Sequence, residues 1–169
     1  MEKVSERLSR MSFSQTFVMS NKVREMKAKG IDVISLTLGE PDFDVPDNIK
    51  KAAFKAIDDN FSHYSPVPGF LDLREAICEK LKRDNNLDYH PAQICVSNGA
   101  KQSILNVLSS IINDGDEVIL PAPYWVSYDE MVKMVGGKSV FIETSIETDF
   151  KMTAAQLEQT ITPKTKALL

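Results

Sequence analysis

Apolar residues in the second half of the chain follow two alternating rhythms. Short runs at Val118-Ile119-Leu120, Ser139 to Ile142 and Lys166 to Leu169 have the length of strands. Between them, apolar positions recur every three or four residues, the period of a helix with one buried face. They are Ile104, Leu105, Leu108, Ile111 and Ile112 within 101–112, the stretch from Val126 to Val135, and Ala154, Leu157 and Ile161 within 153–161. Asp114-Gly115-Asp116 and Gly136-Gly137 turn the chain, and Pro121-Ala122-Pro123 is expected to break the strand before it. With Ile94-Cys95-Val96 in front, the order from residue 94 onward is strand, helix, strand, helix, strand, helix, strand. That alternation predicts an α/β domain built on a mostly parallel sheet flanked by helices.

The first half is more polar. Ser5 to Gly30 reads as weakly helical, with Val18, Val23 and Met26 on one face and Gly30 as the stop. Val33-Ile34-Ser35-Leu36 suits a short strand leading into a turn at Gly39-Glu40-Pro41-Asp42. Pro46 opens a helix carrying Ile49, Ala53 and Ile57. A loop from His63 to Phe70 precedes a helix with Leu73, Ile77 and Leu81, ended by Asn85-Asn86. Residues 1–45 therefore read as an arm and accessory segment, and 46–169 as part of a larger domain. Ala167-Leu168-Leu169 has the character of a buried central strand. Chain ends usually lie at the surface, so the domain is expected to be incomplete at residue 169.

Composition narrows the possible functions. The chain is 43% hydrophobic and 26% charged, with a formal net charge of −4. This mildly acidic balance gives no footprint for nucleic acid or an anionic membrane. Met1 to Arg10 carries alternating charges and no apolar run, so no leader is expected there. No stretch approaches the ~20 apolar residues of a membrane span. A cytoplasmic setting is the expectation. Cys78 and Cys95 form no CxxC pair and His63 and His90 stand apart from them, so neither a disulfide framework nor a metal site is expected.

Four local features carry candidate chemistry. Ser97-Asn98-Gly99-Ala100-Lys101 follows an apolar run and opens a helix. Its small residues admit an anion to the first-turn N–H groups, where the helix dipole favours negative charge. A plain tight turn is the simpler reading of the same residues. Pro121-Ala122-Pro123-Tyr124-Trp125 lies just past the carboxyl end of a strand, where open α/β sheets bind ligands. Trp125, the only tryptophan, is either a platform for a flat heteroaromatic ring or a filler of the core. Gly39 sits in a turn able to offer its N–H, and Tyr64 sits on a loop stiffened by Pro66 and Pro68. An ordinary turn and ordinary packing are the alternatives for these two.

Taken together and in order, Leu38-Gly39-Glu40-Pro41-Asp42-Phe43, the Tyr64 loop with Gly69, Asn98-Gly99-Ala100-Lys101-Gln102 and Pro123-Tyr124-Trp125-Val126-Ser127-Tyr128 closely resemble the class I aminotransferases. The likeness runs over essentially the whole chain and is greatest to the prokaryotic aspartate aminotransferases. Ile161-Thr162-Pro163-Lys164-Thr165-Lys166-Ala167 fits the stretch before that family's asparagine- and proline-rich cofactor loop. The resemblance implies the amino-terminal part of a pyridoxal-phosphate transferase fold, with residues 46–169 in the large cofactor-binding domain and 1–45 supplying the arm and part of the small domain. It implies pyridoxal phosphate as cofactor, amino-acid and 2-oxo-acid substrates, and a homodimer with shared active sites.

Carried over by position, Gly99, Ala100 and Lys101 would hold the cofactor phosphate through main-chain amides. Trp125 would stack on the pyridine ring. Tyr64 would reach the phosphate in the neighbouring subunit. Gly39 would face the substrate α-carboxylate. The Lys101 side chain, with Ser14 and Thr16 of the arm, would line the pocket for an acidic side chain. The implied reaction moves an amino group from L-aspartate to 2-oxoglutarate. It further needs a lysine that bonds the cofactor and shuttles a proton, an acid paired with the pyridine nitrogen, and an arginine for the α-carboxylate. In the family these lie beyond the positions matched here, and no serine-x-x-lysine stretch in this sequence matches the lysine motif. No catalytic residue is assigned, and the 169 residues alone are expected to be inactive. An aromatic or prephenate aminotransferase, another enzyme of the same fold such as a carbon–sulfur lyase, and a non-catalytic module that binds a phosphorylated ligand or itself are the alternatives.

Overall fold

The computed structural model describes residues 4–12 and 15–169. Two compact units emerge, one from 1–39 together with 104–169 and the other from 40–103.

The first unit holds α1 (Glu6–Ser9), α2 (Gln15–Ala28), most of α5 (Gly99–Ile111), β1 (Glu117–Ala122), α6 (Ser127–Met134), β2 (Lys138–Glu143), α7 (Ala154–Thr160) and β3 (Thr165–Leu168). Its sheet is parallel with strand order β2-β1-β3. The central strand owes its place to its side chains. Val118, Ile119 and Leu120 are completely buried, as expected for a strand covered on both faces. Val118 and Leu120 pack with Leu108 and Ile112 at the end of α5 and with Met131 and Val132 of α6. The alternate position, Ile119, faces the other side of the sheet.

The turns at the amino end of the sheet fit each other closely. Gly115 N–H donates to the Gly136 carbonyl at 3.0 Å, and Lys138 N–H to Asp116 at 2.8 Å. Gly136 has φ +86°, and a Cβ there would fall 1.8 Å from Asp114 Oδ1. Glycine meets both demands at once. Glu117 is the buried charge of the unit. Its Oε2 accepts the Thr162 hydroxyl at 2.6 Å and its Oε1 lies 4.0 Å from Lys138 Nζ, partners that offset its loss of water.

The second unit holds α3 (Asp47–Asp58), α4 (Leu71–Asn85), a 3₁₀ turn at Pro91–Gln93 and the first turn of α5. α4 ends where expected, at Asn86 with φ +54°. Ile49 and Ile57 of α3 stay exposed within the described residues.

Three sequence expectations change. Val33 to Leu36 forms no strand. Ile34 and Leu36 are 89% and 92% exposed, and a strand exists only where a ladder partner takes up its backbone groups. Ile94 to Val96 is extended but unladdered, with Val96 N–H donating to the Pro68 carbonyl at 3.0 Å. β1 continues through Pro121 to Ala122, which pair with Ile142 and Glu143. The Ile119 carbonyl accepts from Leu169 on the β3 side and that of Ala122 accepts from Thr144 on the β2 side. Alternation therefore turns Pro121 toward the β3 side, where the ladder stops at Ile119, and its missing N–H breaks nothing. β3 stands at the edge of this three-stranded sheet with Leu168 half-exposed, as expected of a strand with central character in an incomplete domain.

Candidate functional site

In the second unit, the stretch from Ser97 to Lys101 forms a turn that opens a helix. Gly99 opens α5 with φ +80°, and a Cβ built on it meets nothing within 4 Å. Its own N–H turns back to the Ser97 carbonyl at 2.8 Å. Gln102 reaches back so that its Oε1 accepts from Asn98 N–H, fixing the entry to the helix. Gly99, Ala100 and Lys101 are all exposed at the amino end of a 13-residue helix, where first-turn N–H groups have no carbonyl one turn earlier.

Tyr64 is fully exposed on the 61–70 loop of the same unit. The loop is closed at its base by an edge-on contact of Phe61 with Phe70, ring centroids 5.6 Å apart, and by Gly69 N–H donating to Pro66 at 2.8 Å. It seats on the segment that leads into the Gly99 turn, through the Val96–Pro68 hydrogen bond and a close approach of Gly69. An added Cβ on Gly69, whose φ is +97°, would lie 2.8 Å from Val96 Cγ2.

In the first unit, Trp125 lies in the turn between β1 and α6, past the strand's carboxyl end. Its side chain is 42% exposed and meets Tyr128 edge-on, with centroids 5.5 Å apart and planes at 86°. Neighbouring Tyr124 turns inward and stacks on Phe141 at 5.3 Å. Burial pushes its phenol above the ordinary range, and Asp129 adds to this.

Gly39 is exposed, with open space where a Cβ would stand. Thr16 is half-buried at the second position of α2. Ser14 falls outside the described residues. Two contacts tie these segments together. The Ser20 and Thr37 hydroxyls lie 3.3 Å apart, joining α2 to the stretch before Gly39. Ser12 N–H donates to Glu130 Oε2 at 2.8 Å, joining the arm to α6. The other oxygen of Glu130 takes Lys133 Nζ at 3.1 Å, and Lys133 also meets Asp129 at 2.7 Å. The Asp129 hydrogen bond holds the Lys133 ammonium above its ordinary range against the pull of partial burial, and Glu130 adds to it.

The structure thus brings Gly99, Ala100 and Lys101 together in one turn, with the Tyr64 loop anchored next to the chain entering it. In the other unit it links the segments bearing Thr16, Gly39 and Trp125. Sequence reasoning missed Glu130, Arg74 and the capping part of Gln102. Gln102 accepts from an N–H four residues back, one more than the three of a capping box, so that local pattern did not mark it. Glu130 accepts from Ser12, 118 residues away, and Arg74 donates to the Gly69 and Pro91 carbonyls, 5 and 17 residues away, and no local signal marks either. Among the described residues no helix is long and apolar enough to cross a membrane.

A family model described as aminotransferase class I and II matches residues 31–169. The aspartate/prephenate aminotransferase of Cereibacter sphaeroides is 53% identical over 163 residues, covering 96% of this chain and 41% of that protein. The aspartate aminotransferase of a Bacillus species is 47% identical, covering 99% and 43%. Among solved structures, aspartate aminotransferase from Thermus thermophilus with maleate superposes with a TM-score of 0.93 at 42% identity, covering 99% of this chain and 44% of that one. The aspartate aminotransferase from Rhizobium meliloti gives 0.94 at 38%, covering 99% and 42%. The chain spans about two fifths of the length of the curated relatives it matches.

Proposed function

Because the chain belongs to the class I and II aminotransferases, we propose that the whole protein moves the amino group of L-aspartate to 2-oxoglutarate with pyridoxal phosphate. The residues present fit that cofactor. Gly99 leaves the approach to the helix open, and its positive φ suits a turn that wraps an anion. A 42% exposed indole supplies a flat aromatic surface of the kind a pyridine ring stacks on.

Bound here, pyridoxal phosphate supplies a sink for the electrons released at the substrate's Cα. The chain's own residues hold and orient. The amides of Ala100 and Lys101 take the phosphate, with the α5 dipole favouring its charge, while Gly99, its own N–H turned back to Ser97, shapes the turn and leaves the approach open. Trp125 fixes the plane of the ring. Tyr64, exposed on its loop, donates its hydroxyl to the phosphate in a second copy of the chain, so the functional unit is a homodimer. Gly39 offers its N–H to the α-carboxylate, and Thr16, Ser14 and the Lys101 ammonium receive the distal carboxylate. No residue here answers the family's covalent lysine motif, so this part of the protein serves to bind.

The observation that carries the reading is the Gly99 turn, a helix entry with φ +80° that places Lys101 in its first turn. Preference for an acidic substrate rests on Lys101 and finds support in the Thermus thermophilus relative, whose solved partner, maleate, is a four-carbon dicarboxylate. Lys101→Ala keeps the backbone amide but removes the ammonium. Loss of one charge-assisted hydrogen bond, about 1.5–3 kcal/mol, is expected to raise KM for aspartate about 10- to 150-fold. KM for phenylalanine and the affinity for pyridoxal phosphate should change little. An unaltered KM for aspartate would remove the basis for an acidic substrate. The second reading, prephenate as amino acceptor, is favoured by the Cereibacter sphaeroides relative. Comparing kcat/KM for prephenate and 2-oxoglutarate with one donor separates the two.

A further inference from the structure

Arg74, in the first turn of α4, is half-buried and reaches two separate segments of the second unit. Its Nε donates to the Gly69 carbonyl at 3.1 Å and its Nη1 to the Pro91 carbonyl at 2.8 Å. The first acceptor lies at the base of the Tyr64 loop. The second opens the 3₁₀ turn from which residues 94–98 run into the Gly99 turn. Both of these acceptors are neutral backbone groups, so what the guanidinium adds is direction. Its planar fork spans two acceptors at a fixed angle, which a lysine ammonium cannot do.

The same junction is closed from two other sides. Val96 N–H donates to Pro68 at 3.0 Å, and Gly69 approaches Val96 too closely for any larger residue. Arg74 of α4 and Val96 of the segment entering the Gly99 turn thus converge on Pro68 and Gly69 of the loop. Tyr64 itself touches none of them, and its placement is inherited from this base.

We propose that Arg74 is a positioning residue that sets the Tyr64 loop against the chain entering the Gly99 turn, so that one guanidinium aligns both phosphate-directed elements of a subunit. One element serves its own cofactor and the other that of the second copy. The inference rests on the functional reading of Tyr64 and Gly99 given above.

The test uses the full-length dimer, stripped of cofactor and titrated with pyridoxal phosphate. Tyr64→Phe is expected to raise the Kd, since it removes a hydroxyl from the phosphate. Arg74→Ala is expected to raise it about tenfold, the scale of one lost charge-assisted hydrogen bond. Arg74→Lys, which keeps the charge but loses the fork, should raise it in the same direction. In the Tyr64→Phe background Arg74→Ala should add clearly less than it does alone, because part of its effect passes through Tyr64. A lowered melting temperature with an unchanged Kd would make Arg74 merely structural and overturn the proposal, as would effects that multiply independently. If Arg74→Ala does not fold, Arg74→Lys carries the same test, and a Kd equal to that of the unmodified protein overturns the proposal. An unchanged Kd in Tyr64→Phe alone removes the reading of Tyr64, and the proposal with it. A raised Kd there with none in either Arg74 variant overturns the proposal alone.

Discussion

Trp125→Ala is expected to weaken binding of pyridoxal phosphate to the full-length protein by about 5- to 150-fold. Stacking of a heteroaromatic ring on an aromatic side chain contributes about 1–3 kcal/mol, and each 1.4 kcal/mol is about tenfold in Kd. The indole stands past the carboxyl end of β1, 42% exposed, with Tyr128 edge-on against it. An exposed face held in one orientation is what a platform requires. Trp125→Phe should recover much of the affinity. The same variants decide between platform and core filler. Removing a core tryptophan costs about 3–5 kcal/mol of stability, whereas removing a half-exposed one should cost the cofactor-free protein far less. A large fall in cofactor-free stability with no change in Kd would assign Trp125 to packing.

Leu120→Ala is expected to lower stability by about 2–5 kcal/mol, the range for truncating a buried leucine. Leu120 is completely buried at the centre of β1, packed with the cluster that includes Val118, Leu108, Met131 and Val132. β2 pairs with Leu120 itself through Phe141 and β3 pairs as far as the adjacent Ile119, so little can collapse into the space left. Urea denaturation should show a lower midpoint with an unchanged slope, since the surface exposed on unfolding is the same. A midpoint shift below about 0.5 kcal/mol equivalent, typical of surface positions, would contradict the assignment of β1 as the core strand.

What could be read in advance was what a short stretch of chain decides for itself. The helices 127–134 and 154–160, the stop at Asn86 and the strand run at 118–120 all follow from local period and capping. Thr153 and Gln156 cap α7 reciprocally, which holds that boundary in place. Expectations failed where pairing across the chain decides. Val33 to Leu36 has a strand's residues but no ladder. Pro121 looked like a breaker, yet its missing N–H points where no ladder runs. The site divides along the same line. The turns that carry Gly99 and Trp125 were legible because their neighbours announce them. Glu130 was not, since its partner Ser12 is 118 residues away. Nor was Arg74, whose second acceptor is 17 residues away and whose role depends on a loop packing that periodicity does not encode.

The central claim, amino transfer from an acidic donor, is tested most directly by supplying the full-length protein, loaded with pyridoxal phosphate, with L-aspartate and 2-oxoglutarate. Oxaloacetate and glutamate are then measured together. The account predicts that the two appear one for one, and that Lys101→Ala slows both at low aspartate while leaving the cofactor bound. Bound cofactor with no oxaloacetate from aspartate, or transfer from phenylalanine alone, would contradict it.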